Sequence, residues 1–181
     1  MGDYKDAKDR LSQLETSQKQ QELMQRYQKA YNDFNFGNYS DAYVAFQALG
    51  DYNDSAKYAA YCYAMSLKIK GEYESAAAAF EDSGDFLDSA EQVLACRYKQ
   101  ATDLYGKGEY ESAITLFSAL GNYQDSEEKL KSAQEEYNNE RYRAALYAYH
   151  EGKYEEALAL FEAVGDYKDA LKWVEDIKKL P

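Results

Sequence analysis

The chain has 181 residues, enough for one ordinary domain or for a short array of repeats that share a core. Its 33 acidic and 21 basic residues give a formal net charge of -12, so the surface repels phosphate and we expect no nucleic-acid partner. No run of residues approaches the roughly 18 apolar side chains that a membrane span requires, and residues 1–6 lack the regions of a signal peptide. We therefore expect a cytoplasmic protein by default, without membrane insertion.

The first predicted element is half of a repeat. Residues 2–7 read Gly-Asp-Tyr-Lys-Asp-Ala, and the same six residues recur at 165–170. We expect a half-repeat turn and a long helix within residues 1–36. As a hypothesis, the chain is an excised or genetically shortened segment of a longer array.

A motif that occurs four times defines the predicted repeats. Each copy reads Gly-x-Tyr, with an Ala three residues after the Tyr and a Phe four residues after the Ala. Because spacings of three and four residues place side chains on one face of a helix, each copy predicts a short packing helix. The glycines are Gly37, Gly71, Gly108 and Gly152. We predict one repeat domain over residues 1–181, with repeats at 37–70, 71–107 and 108–151, and a last repeat with its capping helix at 152–181.

A second glycine follows each short helix and predicts its end, because glycine adopts positive φ readily. After it comes a four-residue word such as Asp51-Tyr52-Asn53-Asp54, in which an Asp or Asn precedes an Asp by three residues. This arrangement resembles a capping box, so we expect the carboxylates to accept free amide hydrogens at the start of the next helix. A calcium loop would need more oxygen ligands and a central glycine.

The longer, first helix of each pair carries two rows of candidate partner-binding residues. The first row lies ten residues before each repeat glycine, and the second lies seven residues further on, at nearly the same helical angle. The first row is Tyr27, Tyr61, Tyr98 and Tyr142, and the second row is Phe34, Lys68, Tyr105 and Tyr149. If the rows face a groove, their rings supply contact area to a peptide at low conformational cost. If they face the paired helix, they are core, and the Ala three residues after each Tyr favours this structural interpretation.

The remaining reactive side chains form no pattern of a catalytic or metal site. Cys62 and Cys96 each lie 25 residues after a repeat glycine, so we interpret them as small buried core residues rather than a disulfide or half of a zinc site. His150 is the only histidine, and no Ser, Cys or Asp around it completes a set of nucleophile and base. We predict a protein that is not an enzyme and that uses no metal or cofactor.

The combined pattern resembles the tetratricopeptide repeat (TPR), over nearly the whole chain. The small residue in the first helix and the run Gly-x-Tyr-x-x-Ala-x-x-x-Phe carry the resemblance, and the Gly-Asp-Tyr-x-Asp-Ser/Ala turns are similar to a degenerate bacterial variant. The proline that usually separates repeats is replaced by Asp54, Asp88, Asp125 and Asp169. The resemblance implies an all-α, right-handed superhelical solenoid of antiparallel helix pairs, with about four repeats plus an N-terminal half repeat. Its concave face would bind peptides or partner proteins.

Three functions fit these features. The leading hypothesis is a non-enzymatic scaffold that holds a peptide or partner protein, basic or neutral in charge, in the superhelical groove. The first alternative is an acidic inhibitor or DNA mimic that covers a basic site on another protein. The second is a structural spacer, with this chain as a soluble segment of a larger membrane-anchored or exported bacterial protein. A steep loss of binding with salt would separate the mimic from the groove binder. The sequence indicates no particular oligomeric state.

Overall fold

The computed structural model describes residues 2–180, with side chains from residue 7 onward. Within that range the only regular secondary structure is helical, and neighbouring helices pack against one another in series. The helices are α1 (Gly2–Asn35), α2 (Tyr39–Gln47), α3 (Ser55–Ile69), α4 (Tyr73–Asp82), α5 (Ser89–Gly106), α6 (Tyr110–Leu120), α7 (Ser126–His150), α8 (Tyr154–Val164) and α9 (Ala170–Ile177). The all-α fold predicted from the repeated motif is confirmed.

Long and short helices alternate along the chain. The motif helices α2, α4, α6 and α8 have 9 to 11 residues. The first helices α3, α5 and α7 lengthen from 15 to 18 to 25 residues. Extra turns of this kind add length without changing the face that packs, because the helical period is 3.6 residues. The variation in repeat length therefore lies in the first helices.

The chain divides into two compact units between Arg97 and Tyr98, within α5. In the first unit, α2 packs between α1 and α3, and α4 packs on α3. In the second unit, α7 packs between α6 and α8, and α9 packs on α8. Each unit therefore contains two of the four motif helices.

Each repeat builds a core cluster around its motif alanine and phenylalanine. The motif side chains are all fully buried: Ala42, Ala76, Ala113, Ala157, Phe46, Phe80, Phe117 and Phe161. A first-helix alanine joins each cluster and is also fully buried: Ala30, Ala64, Ala101 and Ala145. Because alanine ends at Cβ, the two helices approach closely, and the phenylalanine fills the space beside the contact. The packing role predicted for the motif is confirmed.

The turns between the helix pairs use two residues with positive φ. The first is the predicted glycine, for example Gly50 at φ 56°, and the second is a residue with a side chain three positions later. These second residues are Asn53, Leu87, Gln124 and Lys168. In the first three of these turns a fully buried serine then donates a hydrogen bond to the carbonyl of the turn aromatic, as Ser126 does to Tyr123 over 2.6 Å, and Ala170 takes this position in the fourth.

The capping boxes predicted for these turns are wrong at three helix starts. Asp54, Asp125 and Asp169 stand at the N-cap positions of α3, α7 and α9, but none of them makes a side-chain hydrogen bond to the helix backbone. At Asp125 and Asp169 the carboxylate accepts instead from a tyrosine hydroxyl. Ring packing holds the tyrosine hydroxyl close to the aspartate, so the hydroxyl competes with the backbone amides at the helix start for the carboxylate oxygen atoms.

The start of the chain differs from the turn that its sequence predicts. Helix α1 begins at Gly2, so residues 2–6 are helical rather than a turn. In the identical segment at 165–170 the turn lies between two helices that pack together, whereas no described helix precedes Gly2. Side chains 7–22 of α1 are all exposed, and its buried contacts begin at Leu23.

Candidate functional site

The first-row tyrosines pack edge-on against the motif phenylalanine of the short helix that follows. The ring pairs are Tyr27 with Phe46, Tyr61 with Phe80, Tyr98 with Phe117 and Tyr142 with Phe161, with centroids 5.4 to 6.2 Å apart and interplanar angles of 69° to 70°. Edge-to-face packing of this kind adds about 0.5–1.5 kcal/mol to the area that the rings bury. The same geometry in all four repeats makes the row part of the repeated core.

A second ring holds each first-row tyrosine from the following turn. These partners are Tyr52, Phe86, Tyr123 and Tyr167, each 25 residues after its tyrosine, at interplanar angles of 66° to 73°. The ring of a first-row tyrosine thus lies between a short helix and the turn that follows it. It links the first helix, the short helix and the turn of one helix pair.

The hydroxyl groups of the row complete this link. Tyr61, Tyr98 and Tyr142 donate hydrogen bonds to the turn carboxylates of Asp88, Asp125 and Asp169, in each case 27 residues later. Tyr27 stands in the same relation to Asp54, whose charge, after burial, is the next largest cause that raises the pKa of Tyr27. We call this arrangement of hydroxyl and carboxylate the tyrosine–aspartate link.

The link in the first unit is extended by two further polar groups. Gln92 donates to the other carboxylate oxygen of Asp88 over 2.8 Å, and the ammonium of Lys68 donates to the Gln92 carbonyl. Burial alone would raise the pKa of Asp88, but the hydrogen bonds from Tyr61 and Gln92 and the charge of Lys68 outweigh it, so the pKa is lowered. Burial, followed by the hydrogen bond to Asp88, raises the pKa of Tyr61.

The second row also packs rather than facing solvent. Phe34, Tyr105 and Tyr149 lie edge-on to the motif tyrosines Tyr39, Tyr110 and Tyr154, at centroid distances of 5.5 to 5.9 Å. Phe34 also contacts Tyr61 of the first row at 5.9 Å. Lys68 departs from the aromatic pattern and belongs to the polar network around Asp88.

All eight candidate residues are therefore buried or half-buried. Within the first unit the structure brings Phe34 and Tyr61 together, and within the second it brings Tyr142 and Tyr149 into one cluster with Trp173. Trp173 stacks on Phe161 at 5.8 Å and lies 4.8 Å from Tyr149. These side chains pack within the helix pairs, and their assignment to a binding face stays a prediction.

Exposed side chains lie on the opposite side of the first helices and at the residue just past each helix end. Positions eight, five and one before each repeat glycine lie 140° to 200° around the helix from the first row, at 100° per residue. We call them the outer stripe: Lys29, Asn32, Phe36, Tyr63, Ser66, Lys70, Gln100, Asp103, Lys107, Ala144, Tyr147 and Glu151. All are exposed except Ser66 and Gln100, which are half-buried, and 66% of Tyr147 and 82% of Phe36 are accessible to solvent.

Sequence reasoning missed the outer stripe because its residues do not repeat. Tyr63 and Tyr147 are exposed aromatic residues in different repeats and at different positions, so a search for recurring residues passes over them. The available signal was the helical angle, since the face opposite a repeated packing row points to solvent.

A shallow groove runs beside this stripe between α1 and α2. Arg26, Lys29 and Asp33 line it from α1, and Asp41 and Val44 line it from α2. Val44 is 63% exposed there. An apolar floor between charges of both signs suits a polypeptide with mixed side chains.

Metal-ligating side chains are not clustered in the described part of the chain. No group of three or more His, Cys, Asp or Glu side chains within residues 7–180 is placed to hold a metal ion. Cys62 and Cys96 are free and fully buried, as predicted, and burial raises the pKa of the Cys62 thiol to about 12. None of the helices described has the length and apolar character to cross a membrane.

Comparison of the sequence with protein-family models and with curated proteins gave no match. The function proposed below therefore depends on the geometry of the repeats.

Proposed function

We propose that the protein is a non-enzymatic scaffold that binds a partner protein or peptide through the outer stripe of its first helices. In this proposal the helix pairs form a TPR-like solenoid, and the first-row tyrosines hold it together. The partner is a basic or neutral polypeptide, because the chain carries a net charge of -12.

The observation that carries the proposal is the difference between packed and exposed positions. Side chains that pack recur in all four repeats, as the motif alanine and phenylalanine do. Positions of the outer stripe change between repeats, for example from Tyr63 to Ala144 at eight residues before the glycine. A scaffold needs the same packing in every repeat, whereas its partner can be contacted by different side chains in each.

Tyr63 and Tyr147 are the expected anchors within the stripe. Both are exposed aromatic residues on helices that the core holds in place. Exposed tyrosine offers apolar area and a hydroxyl at a small cost in conformational entropy, and tyrosine is enriched at binding hot spots.

Photocrosslinking tests this assignment of the binding surface. A photoreactive amino acid at Tyr63, and separately one at Tyr147, should crosslink the bound partner, because each position lies on the exposed side of its own first helix. The matched control is Ala159 of α8, which is also exposed but lies on a short helix. Equal crosslinking from Ala159, or none from Tyr63 and Tyr147 while the partner stays bound, would contradict the proposal.

Salt dependence separates this function from charge mimicry. The stripe contains Lys29, Lys70 and Lys107 beside Asp103 and Glu151, so binding should weaken only modestly between about 50 and 300 mM salt. A steep loss over that range would favour a partner that recognises the negative charge of the whole chain.

A further inference from the structure

Helix α1 exposes two apolar side chains at positions that are buried or half-buried in α3, α5, α7 and α9. Counted from the last aspartate of each turn, Leu11 and Leu14 lie five and eight residues after Asp6. The residues at the same two positions are Ala59 and Cys62, Val93 and Cys96, Leu130 and Ala133, and Val174 and Ile177. Leu11 and Leu14 are 56% and 60% exposed, whereas Cys62, Cys96 and Ala133 are fully buried and Ile177 is 6% exposed.

Seven of these eight equivalents belong to the core cluster of the short helix that precedes them, the exception being Ala133. Ala59 and Cys62 cluster with Phe46 of α2, and Val93 and Cys96 cluster with Phe80 of α4. In the second unit, Leu130 packs beside Phe117 of α6. Val174 and Ile177 pack in the same way beside α8. The positions of Leu11 and Leu14 are thus the ones that receive a short helix bearing alanine and phenylalanine.

The residues just before Leu11 and Leu14 also indicate that a short helix would pack on these two side chains. Residues 2–7 are identical to residues 165–170, which connect α8 to the helix that packs on it. A helix of the α8 type placed before Gly2 would therefore meet the same connecting sequence that α8 meets at Gly165.

The charged residue beside Leu11 and Leu14 indicates which charge the packing helix should carry. Nine residues after the turn aspartate, Arg97 pairs with Glu81 and Lys178 pairs with Glu162 over 2.7 Å. In both pairs the acidic residue directly follows the motif phenylalanine of the preceding short helix. The corresponding residue of α1 is Glu15, which has the opposite charge.

We propose that residues 7–15 of α1 are a docking surface for a short amphipathic helix of the form Ala-x-x-x-Phe followed directly by lysine or arginine. Leu11 and Leu14 cover its alanine and phenylalanine, and Glu15 pairs with its basic residue. The short helices of this chain have Gln47, Glu81, Ser118 and Glu162 at that position. None of them is basic, and two would repel Glu15, so a second copy of the chain is a poor occupant.

The test replaces Met1 of the full chain with a copy of residues 126–164, so that an α8-type helix leads directly into Gly2. Leu14→Cys reports coverage of the docking surface through its rate of alkylation, because Cys62 and Cys96 are fully buried and react slowly. Cysteine is also the residue that two other repeats carry at this position. Attachment should slow alkylation of the new cysteine on the order of tenfold or more, since reaction then requires local opening.

Two sets of variants make the result specific. Glu162→Lys in the attached copy should slow alkylation by a further two- to fivefold, about what an exposed ion pair contributes. Glu15→Lys should reverse this preference, so that the copy with the native glutamate protects better. Ala157→Glu with Phe161→Glu in the copy should abolish protection while leaving the original repeats intact.

Three outcomes would overturn the proposal. The first is an alkylation rate of the new cysteine that the attached helix does not lower. The second is an alkylation rate that stays the same when the charge at Glu15 is reversed. The third is protection without any attached copy that increases with protein concentration, because a second chain would then occupy the docking surface.

Discussion

At the scale of single residues, the first-row tyrosines combine an apolar ring with one directed hydrogen bond. The ring of Tyr61 lies between Phe80 and Phe86, and its hydroxyl reaches Asp88 in the next turn. Burying a ring of this size stabilises the fold by a few kcal/mol, and the hydrogen bond fixes its direction. The turn carboxylate of Asp88 is therefore held by a side chain from the previous helix pair, and Gln92 of the helix that follows it adds a second hydrogen bond.

Removal of one hydroxyl measures the tyrosine–aspartate link. Tyr61→Phe keeps the ring contacts and removes only the hydrogen bond to Asp88, so the free energy of unfolding should fall by about 1–2 kcal/mol. Urea denaturation measures the change. Tyr147→Phe is the control, because that tyrosine is 66% exposed and the same substitution there should change stability by less than about 0.5 kcal/mol. Equal effects at the two sites would show that the link adds nothing.

The same link makes stability depend on pH at both ends of the range. The pKa of Asp88 is lowered in the folded state, so its contribution is present above the unfolded pKa of about 3.9 and is lost as pH falls. The pKa of Tyr61 is raised, so its contribution is present below the unfolded pKa of about 10 and is lost as pH rises through the folded value.

Urea denaturation at several pH values tests this dependence. Stability should be nearly constant between about pH 5 and 9 and should fall on either side. Tyr61→Phe should shrink both losses, because it removes the titrating phenol and one hydrogen bond to the carboxylate. An unchanged pH profile in Tyr61→Phe would assign the dependence to other groups.

At the scale of helices, much of the architecture could be predicted from sequence. Recurrence of Ala and Phe at helical spacing predicted the short helices, and the following glycines predicted their ends. The role of the turn aspartates could not be predicted from local sequence. Asp125 accepts a hydrogen bond from the hydroxyl of Tyr98, which lies 27 residues earlier in the chain. Local capping rules consider only neighbours in sequence, so they cannot anticipate such a bond.

Close helix packing gives a prediction at this scale. Ala113→Leu adds three carbon atoms at a fully buried helix crossing of α6, so it should destabilise the protein by about 1–3 kcal/mol. Thermal and urea denaturation check the effect. Ala119→Leu introduces the same side chain at an exposed position of the same helix and should be nearly neutral. Similar losses at both positions would mean that the crossing is not tightly packed.

At the scale of the whole molecule, each first helix has a packed side and an exposed side. The sequence led to the packed side, because repetition is the signature of core positions in a repeat protein. The sequence did not predict Tyr63 and Tyr147 as exposed aromatic residues, since neither recurs at the same position in the other repeats. The structure supplied the exposure of these side chains, and with it the surface on which the proposed function depends.

The first row is expected to hold the repeats together, while the outer stripe is free to bind. Urea denaturation of two alanine variants in α7 tests this division most directly. Tyr142, 9% exposed, contacts Phe161, Tyr167 and Asp169, so Tyr142→Ala should lower the free energy of unfolding by about 3–5 kcal/mol. Tyr147→Ala, five residues later, should lower it by less than about 0.5 kcal/mol. Equal and small losses at both positions would contradict this division, because the first row would then be dispensable for folding.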